Sequence, residues 1–95
     1  MTLLSAVKKG KQPMSTSIYT REYRAMIRLL KEVREKAGVT QVDLAAMLSR
    51  TQSFVSKTER GESRLDVIQL RLILQKLGMS LEEFSRRLER ELTRK

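Results

Sequence analysis

The 95-residue chain contains no cysteine and no histidine, and only four of its side chains are aromatic. Without cysteine there can be no disulfide, no thiolate catalysis and no cysteine-rich zinc site, and without histidine the usual base of a serine hydrolase is missing. The few glycines form no phosphate-binding loop. We therefore expect no catalytic residues, no metal site, no cofactor and no enzymatic activity. Because aromatics are scarce, the core must be built from Leu, Ile, Val, Met and Ala, which favours helices.

Long apolar runs are also absent, so no segment is predicted to span a membrane. The first residues, "MTLLSAVKKGKQP", have too short an apolar piece for a secretory signal, and their lysines lie on the wrong side of it. We expect a cytoplasmic protein with no membrane contact. A chain of this length is predicted to form one domain with a modest core.

Positive charge is in clear excess, with 20 Lys and Arg against 11 Asp and Glu and a net charge of +9. Residues 1–64 hold 13 basic and 6 acidic side chains, whereas residues 65–95 hold 7 and 5, so most of the excess lies in the first part of the chain. A concentrated positive field indicates an acidic partner, with nucleic acid first. The alternative is a basic surface that serves only solubility.

Helical periodicity begins at Thr20, and the pattern from there to the end predicts an all-α fold of five helices. The predicted N-caps are Thr20, Thr40, Thr51, Asp66 and Ser80, and the predicted stops include Gly38, Gly61 and Gly78. Residues 20–95 are the predicted domain, with its last helix at about 81–93. Residues 1–19 lack periodicity and are predicted to be a flexible basic arm, or else an upstream remnant if Met14 is the true start.

The second and third predicted helices are short, and only residues 49–51 separate them. Two short helices so joined, at about residues 40–60, form the unit that places a helix in the DNA major groove. Helical spacing groups four polar side chains on the outer face of the third helix, and these are candidates to read base edges: Gln52, Ser53, Ser56 and Lys57. The alternative is a helix that is polar only because it faces water.

Three segments within residues 30–84 carry a family resemblance. They are "RxxxGxTQxxLA" at 34–45, "SFVSKTERG" at 53–61 and "LGMSLEEF" at 77–84. The stretch resembles the helix-turn-helix domain of the Cro/C1 and XRE type, which includes the lambdoid phage repressors. The resemblance implies a lambda-repressor-like fold, double-stranded DNA as the partner and sequence-specific transcriptional regulation, as a repressor.

The resemblance also implies roles for single residues. Gln41 matches a position that contacts phosphate, and Gln52, Ser53 and Lys57 match positions that face base edges. Arg34 and Glu59 match positions that form a structural ion pair in some relatives. The long cations that flank the third helix are assigned to phosphates, and these are Arg50, Arg60 and Arg64.

Two residues depart from the family pattern. Ser49 stands where the turn usually has glycine, so the turn must either tolerate a side chain or follow a different backbone path. Phe54 stands where a small or polar residue is more common. Its ring is expected either to pack on the first two helices or to touch a thymine methyl group or a sugar.

The last helix carries Leu88 and Leu92 beyond what a small core obviously needs, so a homodimer through these side chains is expected, with core packing as the alternative. Two other functions remain open. The chain could be an antitoxin or a protein-interaction adaptor, with a toxin or other protein as its partner. It could also bind nucleic acid nonspecifically through charge alone.

Overall fold

The computed structural model describes residues 20–94, which form five α-helices and no strand. The helices are α1 (Arg21–Lys36), α2 (Gln41–Leu48), α3 (Gln52–Glu59), α4 (Val67–Lys76) and α5 (Leu81–Thr93). The predicted all-α, five-helix fold is confirmed. The predicted basic arm at 1–19 lies outside the described residues. Within them, no helix combines the length and the apolar character that crossing a bilayer requires.

Each helix begins at the N-cap that the sequence predicted. In all five cases the cap side chain accepts a hydrogen bond from the backbone N–H three residues later. Thr40 and Asp43 form a reciprocal capping box at the start of α2, as do Asp66 and Gln69 at the start of α4. These local bonds satisfy backbone donors that have no partner inside the helix, and they fix where each helix starts.

The end of α3 has the predicted glycine stop. Gly61 has a φ of 76°, its N–H donates to the carbonyl of Thr58 at 3.0 Å, and the N–H of Glu62 donates to the carbonyl of Lys57 at 2.9 Å. This pair of bonds is the Schellman motif, in which a left-handed residue closes the helix. Glycine takes that conformation without a steric penalty, so α3 ends within about two turns of its start.

The core lies where α1 packs on α3 and α5 and where α4 packs on α2 and α5. Its apolar side chains are Ala25, Ile27, Leu29, Leu30, Val33, Leu44, Ala45, Val55, Leu70, Ile73, Leu74 and Phe84. Leu74 and Phe84 are fully buried. Ala37 is the exposed C-cap of α1. Leu29 is buried as well as Leu30, because α1 contacts helices on two sides.

Candidate nucleic-acid interface

The turn between α2 and α3 keeps a left-handed residue although it has no glycine. Ser49 has φ 56° and ψ 42°, and among residues 20–94 it is the one residue other than glycine with a positive φ. The N–H of Arg50 donates to the carbonyl of Ala45 at 2.9 Å, which is the bond that closes a Schellman turn. The serine side chain is therefore tolerated on the backbone path that glycine would follow.

The two faces of α3 differ sharply. Val55 and Thr58 are each 2% exposed and hold the helix to the core. Gln52, Ser53 and Lys57 are exposed. The sequence-predicted base-reading side chains thus share the outer face of α3, except that Ser56 is half-buried.

A chain of amide hydrogen bonds links α2 to α3. The Nε2 of Gln52 donates to the Oε1 of Gln41 at 3.3 Å, and the Nε2 of Gln41 donates to the Oε1 of Glu59 at 3.0 Å. Each amide nitrogen carries two hydrogens, so both glutamines keep one N–H for a further partner. Gln41, predicted to contact phosphate, therefore also orients the side chain of Gln52.

Glu59 ends this chain on the guanidinium of Arg34. The Nε of Arg34 donates to the Oε2 of Glu59 at 2.6 Å, and its Nη2 donates to the Oε1 at 3.0 Å. The remaining nitrogen, Nη1, donates to the carbonyl of Val39 at 2.7 Å. The two side chains are only 8% and 6% exposed, and the hydrogen bond to Glu59 holds the pKa of Arg34 above its ordinary value. A bidentate pair buried to this degree fixes the position of α3 against α1.

Arg60, a predicted phosphate contact, is occupied by its own chain. Its guanidinium donates to both carboxylate oxygens of Glu62, at 2.8 and 3.1 Å, and to the hydroxyl of Ser56. The bond to Glu62 raises the pKa of Arg60, and the same bond lowers the pKa of Glu62. Both side chains are about half exposed, so a phosphate oxygen could replace the carboxylate.

Arg50 and Phe54 lie together where the turn enters α3. The Cζ of Arg50 stacks 3.8 Å from the centre of the Phe54 ring. Phe54 is half-buried and packs against the core beside Leu48 and Ile73. The packing interpretation of Phe54 therefore fits: the ring lies beside Leu48 of α2 and Ile73 of α4, and Leu30 of α1 lines the same part of the core.

Tyr23, at the start of α1, makes a long-range contact that the sequence pattern did not predict. Its hydroxyl donates to the carbonyl of Ser63 at 3.2 Å and accepts from the N–H of Leu65 at 3.0 Å. The loop that carries the exposed Arg64 is thus tied to α1. A tyrosine at the start of an amphipathic helix gives no local signal for a contact more than 40 residues away.

Three basic side chains on α1 have no role assigned from the sequence. Arg24, Arg28 and Lys31 follow each other at steps of four and three, which places them on one face of the helix. That spacing was the signal available in the sequence. Among residues 20–94, no cluster of acidic side chains is arranged to hold a metal ion.

Comparisons with known proteins agree with this geometry. The family model described as helix-turn-helix matches residues 30–94. Among solved structures, an XRE-family like protein from Pseudomonas syringae pv. tomato str. DC3000 is 42% identical and superposes with a TM-score of 0.74, covering 84% of this chain and 96% of that chain. No curated protein matches the sequence significantly. The chain belongs to the XRE family of helix-turn-helix proteins.

Proposed function

We propose that the protein is a sequence-specific transcriptional regulator that inserts α3 into the major groove of double-stranded DNA. Membership of the helix-turn-helix family implies a DNA-binding regulator. The observation that carries the finer proposal is the outer face of α3, where Gln52, Ser53 and Lys57 are exposed opposite the buried Val55. Repression is the proposed outcome, because a protein bound to an operator blocks transcription by occupancy alone. A regulator of this kind acts where the DNA is, which we propose is the cytoplasm.

Gln52 has the chemistry to read adenine. Adenine presents N7 as an acceptor and N6–H₂ as a donor in the major groove, and one glutamine amide satisfies both. Because the bond to Gln41 uses one N–H of Gln52, the second N–H and the carbonyl oxygen remain for the base. The free N–H of Gln41 would donate to a phosphate oxygen at the start of α2, where the helix dipole also favours an anion.

Lys57 and Ser53 complete the proposed reading edge. Lys57 would donate to guanine O6 or N7, or else to phosphate, and Ser53 discriminates less because a hydroxyl both donates and accepts. Ser56 is a weaker candidate, since it is half-buried and already accepts from Arg60. Arg50, Arg60 and Arg64 are exposed around α3 and are proposed to contact phosphates.

We further propose that two copies bind two half-sites. Leu88 is half-buried and packs against the core of its own chain, which favours the packing interpretation for that residue. Leu92 is half-buried near the end of α5, so it is the better candidate for contact with a second copy. Sedimentation at low micromolar concentration tests this. A parent protein that is strictly monomeric would refute the dimer, and a dimer that Leu92→Glu leaves intact would refute the role of Leu92.

The alternative is an antitoxin or adaptor that uses the fold as a scaffold for a toxin or another protein. An adaptor does not need Gln, Ser and Lys on the outer face of α3, whereas a DNA reader does. Nonspecific binding through charge is the other alternative. Neither predicts a preferred DNA sequence.

Selection of binding sites from random duplex DNA is the deciding experiment. We expect a preferred half-site, repeated at a spacing of about one helical turn if two copies bind. Gln52→Ala should then lose about 1 to 3 kcal/mol on the preferred site and little on other duplexes. An unselective pool, or equal losses of Gln52→Ala on all duplexes, would contradict sequence-specific reading.

A further inference from the structure

A shallow groove of about 410 Å³ lies between α1 and the end of α3. Its inner wall is formed by the buried Ile27 and the half-buried Tyr23. Its exposed cations are Arg24, Arg28 and Lys31 from α1 and Arg60 from the C-cap of α3. The groove therefore adjoins the proposed reading helix but is separate from the outer face of that helix.

Of the four cations in this groove, Arg60 is already paired with Glu62, and no side chain that lines the groove neutralises the other three. The one acidic side chain that lines it is Glu59, whose carboxylate is bonded to Arg34 and Gln41. Among the ion pairs of residues 20–94, none uses Arg24, Arg28 or Lys31. Glu35, one turn beyond Lys31, lies 3.9 Å from Arg34 and marks the end of the basic face.

The groove adjoins the C-terminal end of α3, where a DNA strand that flanks the read base pairs would pass. α3 has eight residues and is therefore about 12 Å long, close to the width of the major groove. If Gln52 at one end meets base edges, Arg60 and Gly61 at the other end come close to a flanking phosphate strand. The span from Arg24 to Lys31 is about 10 Å, the axial length of about three nucleotides of one strand.

We propose that Arg24, Arg28 and Lys31 form a second DNA-contact site, which binds phosphates flanking the base pairs that α3 reads. The site carries no sequence information, because cations on phosphates do not distinguish bases. It lengthens the duplex that the protein needs and increases the salt dependence of binding. This proposal rests on the proposed DNA-binding function.

The test is the triple variant Arg24→Gln/Arg28→Gln/Lys31→Gln in the full chain, titrated with the selected site at several salt concentrations. On a duplex that extends beyond the site, we expect the slope of log K against log salt to fall in magnitude by about 2 to 3, since each phosphate contact contributes about 0.9. On a duplex trimmed to the base-read segment, parent and variant should bind alike. The ratio of affinities for the selected site and a scrambled site should stay unchanged.

The matched control is Lys76→Gln/Arg86→Gln/Arg90→Gln, which removes the same charge from exposed positions on α4 and α5. Sedimentation of both variants shows whether either has changed its oligomeric state. A control that lowers the salt slope as much as the groove variant would assign the effect to net charge and overturn the proposal.

Two other outcomes would also overturn it. The first is a groove variant with an unchanged slope on the long duplex, while Gln52→Ala still loses specificity, since the proposed function would then stand without this site. The second is a shift of the amide resonances of Tyr23 and Arg28 by millimolar inorganic phosphate in the parent, with no effect of the variant on the long duplex. The groove would then bind free phosphate and not DNA. If the parent selects no site at all, the proposed function fails first.

Discussion

The guanidinium of Arg50 lies 3.8 Å above the ring of Phe54, four residues further along the chain. Phe54 is packed against the core on its inner side, so its position is fixed. A cation stacked on a fixed ring loses less conformational freedom when it meets a phosphate than a free arginine does. We therefore expect Phe54 to support the proposed phosphate contact of Arg50 without touching DNA itself.

Phe54→Leu should weaken DNA binding by about two- to fivefold on every duplex, because a stack at an exposed site contributes about 0.5 to 1 kcal/mol. Leucine keeps an apolar side chain against Leu48 and Ile73, so the fold should survive at a cost of about 1 to 2 kcal/mol. Binding isotherms on the preferred and scrambled duplexes measure the first effect, and urea unfolding measures the second.

The double variant with Arg50→Ala separates the two roles of Phe54. If the ring acts through Arg50, Phe54→Leu should add no further loss in the Arg50→Ala background. A loss that persists there, or that appears only at a site with one particular thymine, would show that the ring itself contacts DNA.

Glu59→Ala should lower the free energy of unfolding by about 3 to 5 kcal/mol, because Arg34 would be left buried without its counter-charge. Arginine cannot escape by losing its proton, since its pKa lies far above neutral pH. The matched control is Glu62→Ala, which breaks an arginine pair that is about half exposed and should leave the free energy of unfolding almost unchanged. Urea midpoints for the two variants make the comparison. Glu59→Ala unfolding at the parent's midpoint would contradict a structural role for the pair.

The features that the sequence predicted well are those set by neighbours along the chain. Thr51 is a cap and Gly61 is a stop because each bonds backbone groups within five residues. The bond between Gln41 and Gln52 was not predictable in the same way, because it depends on how α2 and α3 cross. The position of the Phe54 ring was not predictable either, because it depends on how closely α4 packs beside α3. Local chemistry gave the elements, whereas tertiary packing decided which side chains cooperate.

Ser49→Gly should stabilise the protein by about 0.5 to 1 kcal/mol. A side chain in the left-handed region costs about 1 to 2 kcal/mol, and the greater freedom of glycine in the unfolded chain removes part of that gain. Urea unfolding with an unchanged m-value is the measurement. Ser85→Gly, at an exposed position inside α5, is the matched control and should destabilise by about 0.5 kcal/mol. Destabilisation by Ser49→Gly would mean that the serine side chain itself contributes to the turn.

Glu62→Gln should tighten DNA binding. In the free protein Glu62 holds the guanidinium of Arg60 through two hydrogen bonds, and its negative charge would also oppose an approaching phosphate strand. Removing one like charge near the strand should therefore raise the affinity modestly, and less so at high salt.

The pH range of this effect follows from the pKa of Glu62. Its hydrogen bond with Arg60 lowers that pKa below the ordinary 4.5. The carboxylate is therefore charged throughout the neutral range, and its negative charge is lost only when the pH falls through the lowered pKa. The ratio of affinities for Glu62→Gln and the parent should therefore be constant between about pH 6 and 8. Glu82→Gln, which breaks the exposed pair with Arg86 on α5, is the control and should leave DNA binding unchanged. Equal affinity for Glu62→Gln and the parent would place Arg60 outside the phosphate contacts.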